Sequence, residues 1–363
     1  MNKLAMTWIV PSVAVLLIVG FVAVERDDSN GTQRHSRTFR QSIAAAPAPA
    51  PSPPPPFHRW LTDLSGEAVR RGFDRRLVTQ ALSGLQPLPD VIEADRAQAA
   101  PSRGLEVYLS QRLTPDLIAR GREKMREHRR LLGRIEQFFG VQRRFVVAIW
   151  GAETGYGPYS GDVPVFQALA TLAWEPRRAE YFRTELFEAL RIVQRGHIDI
   201  ESMVGSWAGA MGQPQFMPSS YIKYAFDFDR DGRRDIWRSI PDTLASIANY
   251  LRSFGWRNGE TWGREVSLTT AARRRIMSLV TPREDGCGAI RTLTARRTLD
   301  AWAADGVRLA DGGALPRGGI DGSLVLAADP RTFLVYRNYE SILAYNCSHY
   351  YALSVAMLAD AIR

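Results

Sequence analysis

The sequence predicts a mainly α, α+β fold: a helical body with a small mixed β-containing segment inserted before the last helix. Three observations predict it. From about residue 57 to about residue 260, apolar residues recur at helical spacing between short Gly- and Pro-containing turns. Residues 264–336 change character, with short β-prone runs and Gly-rich turns. Helical spacing returns at Tyr350–Ile362, and no internal repeat is visible. The 363 residues, 45% hydrophobic and 23% charged, suit a globular chain of one large domain or two smaller ones.

The chain opens with Lys3 and an apolar stretch, Leu4–Val24, broken only by Thr7, Pro11, Ser12 and Gly20. The stretch is just long enough to cross a bilayer, and Lys3 favours a cytoplasmic amino terminus. Residues 1–26 therefore read as an uncleaved membrane anchor, because no small-x-small site follows directly; a cleaved signal peptide is the alternative. Either reading exports the rest of the chain. Residues 27–56 form a disordered linker whose Pro- and Ala-rich part, 44–56, is a semi-rigid spacer. Folding begins near Phe57, and helices are expected at Glu67–Gly72, Thr114–Phe139, Arg144–Thr154, Arg177–Arg195 and Thr243–Phe254.

In the third of these, Val146, Ile149 and Trp150 stand seven, four and three residues before Glu153, on its face. Gly155, Gly157 and Pro158 then stop the helix. A carboxyl on an apolar stripe at a helix end is desolvated, which favours the neutral acid, and such an acid can serve as a general acid near neutral pH. The alternative is a structural glutamate bonded to a nearby group. Downstream, Gly205-Ser206-Trp-Ala-Gly-Ala-Met-Gly212-Gln-Pro-Gln215-Phe-Met-Pro218-Ser-Ser220 is too rich in Gly and Pro for a continuous helix. Its aromatic, amide and hydroxyl groups suit sugar rings, as do those of Tyr345-Asn346-Cys-Ser348-His349-Tyr350-Tyr351. Ser206 lacks the G-x-S-x-G elbow of a nucleophile and reads as a hydrogen-bonding residue.

Asp227-Phe-Asp229-Arg-Asp231-Gly232-Arg233-Arg-Asp235 places aspartates at positions one, three, five and nine, with Gly at six, as in a calcium-binding EF-hand loop. Arg238 replaces the closing Glu at position twelve, and Asp242 is placed to close the shell from the next helix. A solvated acidic turn is the other reading. Between Glu265-Val-Ser-Leu268 and Ser323-Leu-Val-Leu-Ala327 the β-prone segment is punctuated by Asp311-Gly-Gly313 and Arg317–Gly322. The two cysteines, Cys287 and Cys347, are permitted a disulfide by an exported compartment; two buried thiols are the alternative. The net charge of +9 admits nucleic acid, anionic lipid or an acidic polymer as partner. With no zinc finger, RNP-type pattern or P-loop, nucleic acid is set aside.

Together these segments resemble the membrane-bound lytic transglycosylase B family, glycoside hydrolase family 103, over roughly residues 57–363. The resemblance rests on Ala148-Ile-Trp-Gly-Ala-Glu153-Thr-Gly-Tyr-Gly157, Arg177-Arg-Ala-Glu-Tyr-Phe182, Gly209–Ser220 and Tyr345-Asn346, in that order. It implies a lysozyme-like catalytic core with an extra helical subdomain. It implies cleavage of the β-1,4 bond between N-acetylmuramic acid and N-acetylglucosamine in peptidoglycan, leaving a 1,6-anhydro ring. Glu153 is then the acid/base, and Tyr108, Ser206, Gln215, Tyr250, Tyr345, Asn346 and Tyr350 line the saccharide groove. Asp227, Asp229, Asp231 and Asp242, with the carbonyl of Arg233, are implied as ligands of a structural calcium ion. No catalytic cofactor is expected. The chain departs from the family's best-known members in lacking a lipid-bearing Cys. The expected setting is a periplasmic monomer tethered to the inner membrane and acting on glycan strands. Two rivals stay open: a muramidase hydrolysing the same bond, and a non-catalytic, calcium-stabilised peptidoglycan-binding scaffold.

Overall fold

The computed structural model describes residues 54–97, 104–157, 159–279, 283–326 and 331–363. The anchor read at 1–26 and nearly all of the linker lie outside the described residues. Among the described residues, no helix is long and apolar enough to cross a membrane. The helices are α1 (Phe57–Arg70), α2 (Arg75–Leu82), α3 (Pro89–Arg96), α4 (Leu105–Arg112), α5 (Pro115–Glu127), α6 (Arg129–Phe139), α7 (Arg143–Thr154), α8 (Val165–Trp174), α9 (Ala179–Gln194), α10 (Pro218–Tyr224), α11 (Ile240–Ser253), α12 (Thr270–Leu279), α13 (Gly288–Arg291), α14 (Leu299–Ala304), α15 (Arg337–Tyr345) and α16 (His349–Ala361). The strands are β1 (Val163–Pro164), β2 (Val204–Gly205), β3 (Gly263–Ser267), β4 (Arg297–Thr298), β5 (Arg308–Leu309), β6 (Asp321–Val325) and β7 (Thr332–Val335).

Three apolar cores organise them. The first gathers α4, α6, α7, α11, α15 and α16; the second gathers α1, α2, α8, α9 and α10. The third lies on the expected mixed segment, where β4-β6-β7-β3-β5 form one antiparallel sheet. Trp302 fills that small core and its indole N–H donates to the Gly322 carbonyl at 2.8 Å.

Two expected helices differ in extent. The helix expected at Glu67–Gly72 is the end of α1, whose buried Phe57, Leu61, Leu64 and Ala68 repeat at helical spacing. The single helix expected over Thr114–Phe139 is two, because His128 leaves helical dihedrals at φ −98° and ψ 19°. Its ring sits 5.9 Å from that of Trp150. No Gly or Pro marks the break, so the apolar pattern runs through it.

Helix α7 has no solvent face along its middle. The run from Phe145 through Trp150 is at most 1% exposed at every position, and the helix packs against α5, α6, α11 and α16. Arg144, at its start, pairs with Asp360, which also accepts from Trp262 Nε1 at 2.8 Å. The helix ends in three consecutive left-handed residues, Gly155, Tyr156 and Gly157, with φ of 58°, 70° and 95°. The non-glycine Tyr156 is held there by its hydroxyl, which donates to the Leu117 carbonyl at 3.0 Å.

Cys287, just before α13, is disulfide-bonded to Cys347, in the turn between α15 and α16. The bond ties the β-containing segment to the turn that carries Asn346. Replacing both cysteines by Ser is expected to cost about 4 kcal/mol of unfolding free energy for this 60-residue separation, read by chemical denaturation. A loss below about 1 kcal/mol would mean that the surrounding packing alone fixes the turn.

Candidate active site

Glu153 occupies the last turn of α7, 8% exposed. Burial pushes its carboxyl up to about 7; a hydrogen bond from Tyr351 and the charge of Arg112 pull against that rise. The Tyr351 hydroxyl donates to Glu153 Oε1 at 2.5 Å. The carboxyl faces a cavity of about 290 Å³ walled by α4, the start of α5, the end of α7 and α16. Tyr108, Arg112, Tyr351 and Ser354 are among its lining residues, and Glu153 is the one Asp or Glu among those described.

Tyr108, Tyr345 and Tyr351 all hold their phenol protons more tightly than usual. Burial is the main cause, and each feels the charge of Glu153. Tyr108 lines the cavity with Glu153, and Tyr345 is close enough to feel its charge. Tyr345 lies outside that lining: its hydroxyl donates to the Pro214 carbonyl at 2.6 Å, and its ring packs on Tyr250 at 4.7 Å. The Tyr250 hydroxyl donates to the Ala344 carbonyl at 2.7 Å. Gln215, at φ 52°, holds the adjoining loop by donating from Nε2 to the carbonyls of Gly212 and Ser160, both at 2.9 Å. Ser206 shapes the same loop, its Oγ accepting from the Ala210 amide at 3.1 Å. Asn346 is 7% exposed and its Oδ1 has no hydrogen-bond partner among the described residues. A buried acceptor left open in this way is ready for a ligand donor.

Tyr350, expected in the groove, packs on the ring of Tyr108 at 5.5 Å, and the hydroxyl on Glu153 belongs to the next residue. Motif reading missed Tyr351, although helical spacing marks it: Tyr351, Val355 and Leu358 share the buried face of α16. Arg112 carried no motif signal.

The acidic loop fits a hard cation. Carboxylate oxygens of Asp227, Asp229, Asp231 and Asp242 all lie within 4.8 Å of one another, an all-oxygen donor set. Gly232 turns the loop at φ 91°, and Asp242 reaches in from α11, fully buried. Asp242 accepts from the Phe228 amide at 2.7 Å and the Asp235 amide at 2.9 Å. Arg233 is exposed in the same loop, its amide donating to Asp231 Oδ1 at 2.7 Å.

Residues 56–360 match the transglycosylase SLT domain family. The chain is 31% identical to membrane-bound lytic murein transglycosylase B of Escherichia coli over 81% of its own length and 79% of that protein. It resembles the crystal structure of SltB3 from Pseudomonas aeruginosa in complex with NAG-NAM-pentapeptide, with a TM-score of 0.76 and 40% identity over 84% of this chain and 79% of that one. It also resembles the Escherichia coli lytic transglycosylase Slt35 in complex with calcium, with a TM-score of 0.70 and 30% identity over 83% of this chain and 92% of that one.

The burial of Glu153 has a stability signature. Its folded pKa of about 7 lies above the ordinary 4.5, so the stability present below about 4.5 is lost as pH rises through about 7. At about 1.4 kcal/mol per pH unit, Glu153→Gln is expected to be roughly 3 kcal/mol more stable than the parent at pH 8. The gap should shrink to under about 1 kcal/mol at pH 4.5. Thermal unfolding at both pH values reads it, and a gap independent of pH would contradict the buried, ionisable carboxyl.

Proposed function

This chain belongs to the transglycosylase SLT domain family and is an enzyme of the lytic murein transglycosylase kind, and we propose that it cleaves peptidoglycan glycan strands at the MurNAc-β-1,4-GlcNAc bond, closing a 1,6-anhydro ring. The observation that carries the reading is one buried carboxyl, raised to about 7, in a cavity whose described lining holds no second Asp or Glu. Glycosidases of the ordinary kind use two carboxyls, one of them to activate water or to attack. A reaction that uses no water needs only one.

In this mechanism neutral Glu153 gives its proton to the bridging oxygen as the C1–O bond breaks. Tyr351 occupies Oε1, so Oε2 is the oxygen that carries the proton. The carbonyl oxygen of the substrate's 2-acetamido group bonds to C1 from the opposite face. Glu153, now a carboxylate, takes the proton of the muramyl C6 hydroxyl, whose oxygen closes on C1 and displaces the acetamido group. The carboxyl ends protonated, as it began. Tyr345, Tyr250 and Tyr108 offer ring faces to the sugars, and Asn346 Oδ1 offers an acceptor to a hydroxyl or amide. On this reading the enzyme works in the periplasm as a monomer, with residues 1–26 as its inner-membrane tether. The acidic loop would hold a structural calcium ion through Asp227, Asp229, Asp231, Asp242 and the Arg233 carbonyl, and the ion's two positive charges would offset half the charge of the four converging carboxylates.

Digestion of purified sacculi tests the chemistry. The product is expected to be about 18 Da lighter than a hydrolysed end, since no water is added. Only reducing muramyl ends would sink the reading. Glu153→Gln is expected to lose at least about 10³-fold in kcat while still binding glycan. The parent's kcat/KM should fall about tenfold per pH unit above about 7. Removal of calcium by a chelator is expected to lower Tm by roughly 5 °C, restored by added Ca²⁺; an unchanged Tm would argue against a structural ion.

A further inference from the structure

Gln213 has no role in the chemistry above, yet it is 4% exposed and every polar group it owns is engaged. Its Oε1 accepts from Trp150 Nε1 at 2.8 Å and its Nε2 donates to the Trp237 carbonyl at 3.0 Å. Its main-chain amide donates to the Ile236 carbonyl at 2.9 Å, and its main-chain carbonyl accepts from Thr154 Oγ1 at 3.1 Å. The partners fall in two groups. Trp150 and Thr154 flank Glu153 in the last turns of α7. Ile236 and Trp237 form the exit of the acidic loop, where the Trp237 amide donates to Asp235 Oδ1 and the Asp235 amide to Asp242 Oδ2, both at 2.9 Å.

The turn after Glu153 is closed around the same side chain. Gly157 has a φ of 95°, and a Cβ there would collide with Gln213 Oε1. The Gly157 amide donates to Thr154 Oγ1 at 3.2 Å, so the hydroxyl that meets Gln213 also ties down the turn. Only an amide side chain fits both ends of the bridge. An ionised Glu can accept from the Trp150 indole but meets the Trp237 carbonyl with a second acceptor, and an apolar side chain leaves a buried donor and a buried acceptor unpaired.

We propose that Gln213 is a positioning residue for the reaction: it fixes the end of α7, and so the placement of Glu153, by tethering that end to the exit of the acidic loop, and it carries the effect of cation binding in the loop to Glu153. The proposal rests on the reading of Glu153 as the acid. A residue that only filled space would affect stability, whereas a positioning residue also changes the rate step and the acidity of the group it places.

Gln213→Met preserves volume and removes both side-chain hydrogen bonds; Gln213→Glu preserves the bond to Trp150 alone. Each is assayed on sacculi with Ca²⁺, at a temperature equally far below its own Tm. Gln213→Met is expected to lose at least about tenfold in kcat with KM within about twofold, and to move the alkaline limb of kcat by half a pH unit or more. Gln213→Glu is expected to fall between it and the parent, and it carries the test alone if the Met variant does not fold. Wild-type kcat and limb in a folded variant, or a change in KM alone, would overturn the positioning role. The tether is read without cleavage from the Trp150 indole N–H resonance in Glu153→Gln protein. It should shift when Ca²⁺ is replaced by chelator, and the shift should vanish when Gln213→Met is added. A resonance indifferent to the ion would overturn the coupling. Activity retained by Glu153→Gln would instead remove the acid assignment and leave this resonance result standing.

Discussion

The structure depends on keeping one carboxyl out of water. A glutamate whose ionised form is disfavoured until about pH 7 has to be buried, and a single helix cannot bury its own end. Helix α7 therefore runs through the middle of its core, enclosed along the stretch from Phe145 to Trp150. Fully buried Val, Ile and Phe side chains contribute about 1.5–3 kcal/mol each, which outweighs the few kcal/mol that the carboxyl costs at neutral pH. The neighbours that enclose α7 are also those that furnish the cavity: α16 brings Tyr351, and the start of α5 adjoins α4 with Tyr108 and Arg112.

Sequence distance explains why the rest of the fold is so heavily tied together around this point. The lining of the Glu153 cavity comes from α4, α5, α7 and α16, while the other expected groove residues sit on the loop after β2, on α11, on α15 and in the turn that follows it. Each wall is held by a bond that spans a long stretch of chain: Tyr345 to Pro214, Tyr250 to Ala344, Tyr156 to Leu117, Gln213 to Trp150. The Cys287–Cys347 disulfide fixes the turn bearing Asn346 from the side of the β-containing segment. In the same region the His349 ring lies 2.9 Å from Thr292 Oγ1 and 3.0 Å from the Tyr339 hydroxyl. Burial holds that imidazole neutral down to about 4, so the clamp does not gain a charge across the ordinary pH range.

Much of this was legible in the sequence where a local rule applies. Glu153 stood out because an apolar stripe met Gly155 and Gly157. The acidic loop stood out because its aspartates alternate around Gly232 at the spacing of a cation-binding loop, and the β-containing segment because its turn chemistry differs from the helical body. What could not be read locally was partner choice. Nothing near Gln213 in sequence announces Trp150 or Trp237, since the bridge exists only after α7 and the acidic loop meet. The break at His128 has no Gly or Pro, and its ring contact with Trp150 is again a tertiary matter. The neighbouring tyrosines Tyr350 and Tyr351 are separated by helix phase, which turns them toward different partners. One side chain meets Tyr108 and the other meets Glu153.

Tyr351 also bears on how one carboxyl serves twice in the proposed cycle. Its phenol lies in full burial beside a carboxyl, and both push its own ionisation well above the usual range. It therefore remains a donor whether Glu153 is neutral or charged. In the proposed cycle the proton that leaves Oε2 for the glycosidic oxygen is replaced by one from the muramyl hydroxyl, and the Tyr351 hydrogen bond persists throughout. That bond lowers the carboxyl's pKa while burial raises it, and the balance falls at about 7. A carboxyl balanced there gives up and takes back a proton with comparable ease near neutral pH, which is what a single acid/base requires. Deeper burial without Tyr351 would make a weaker acid that is slow to donate. A more solvated carboxyl would arrive at the substrate already ionised, with no proton to give.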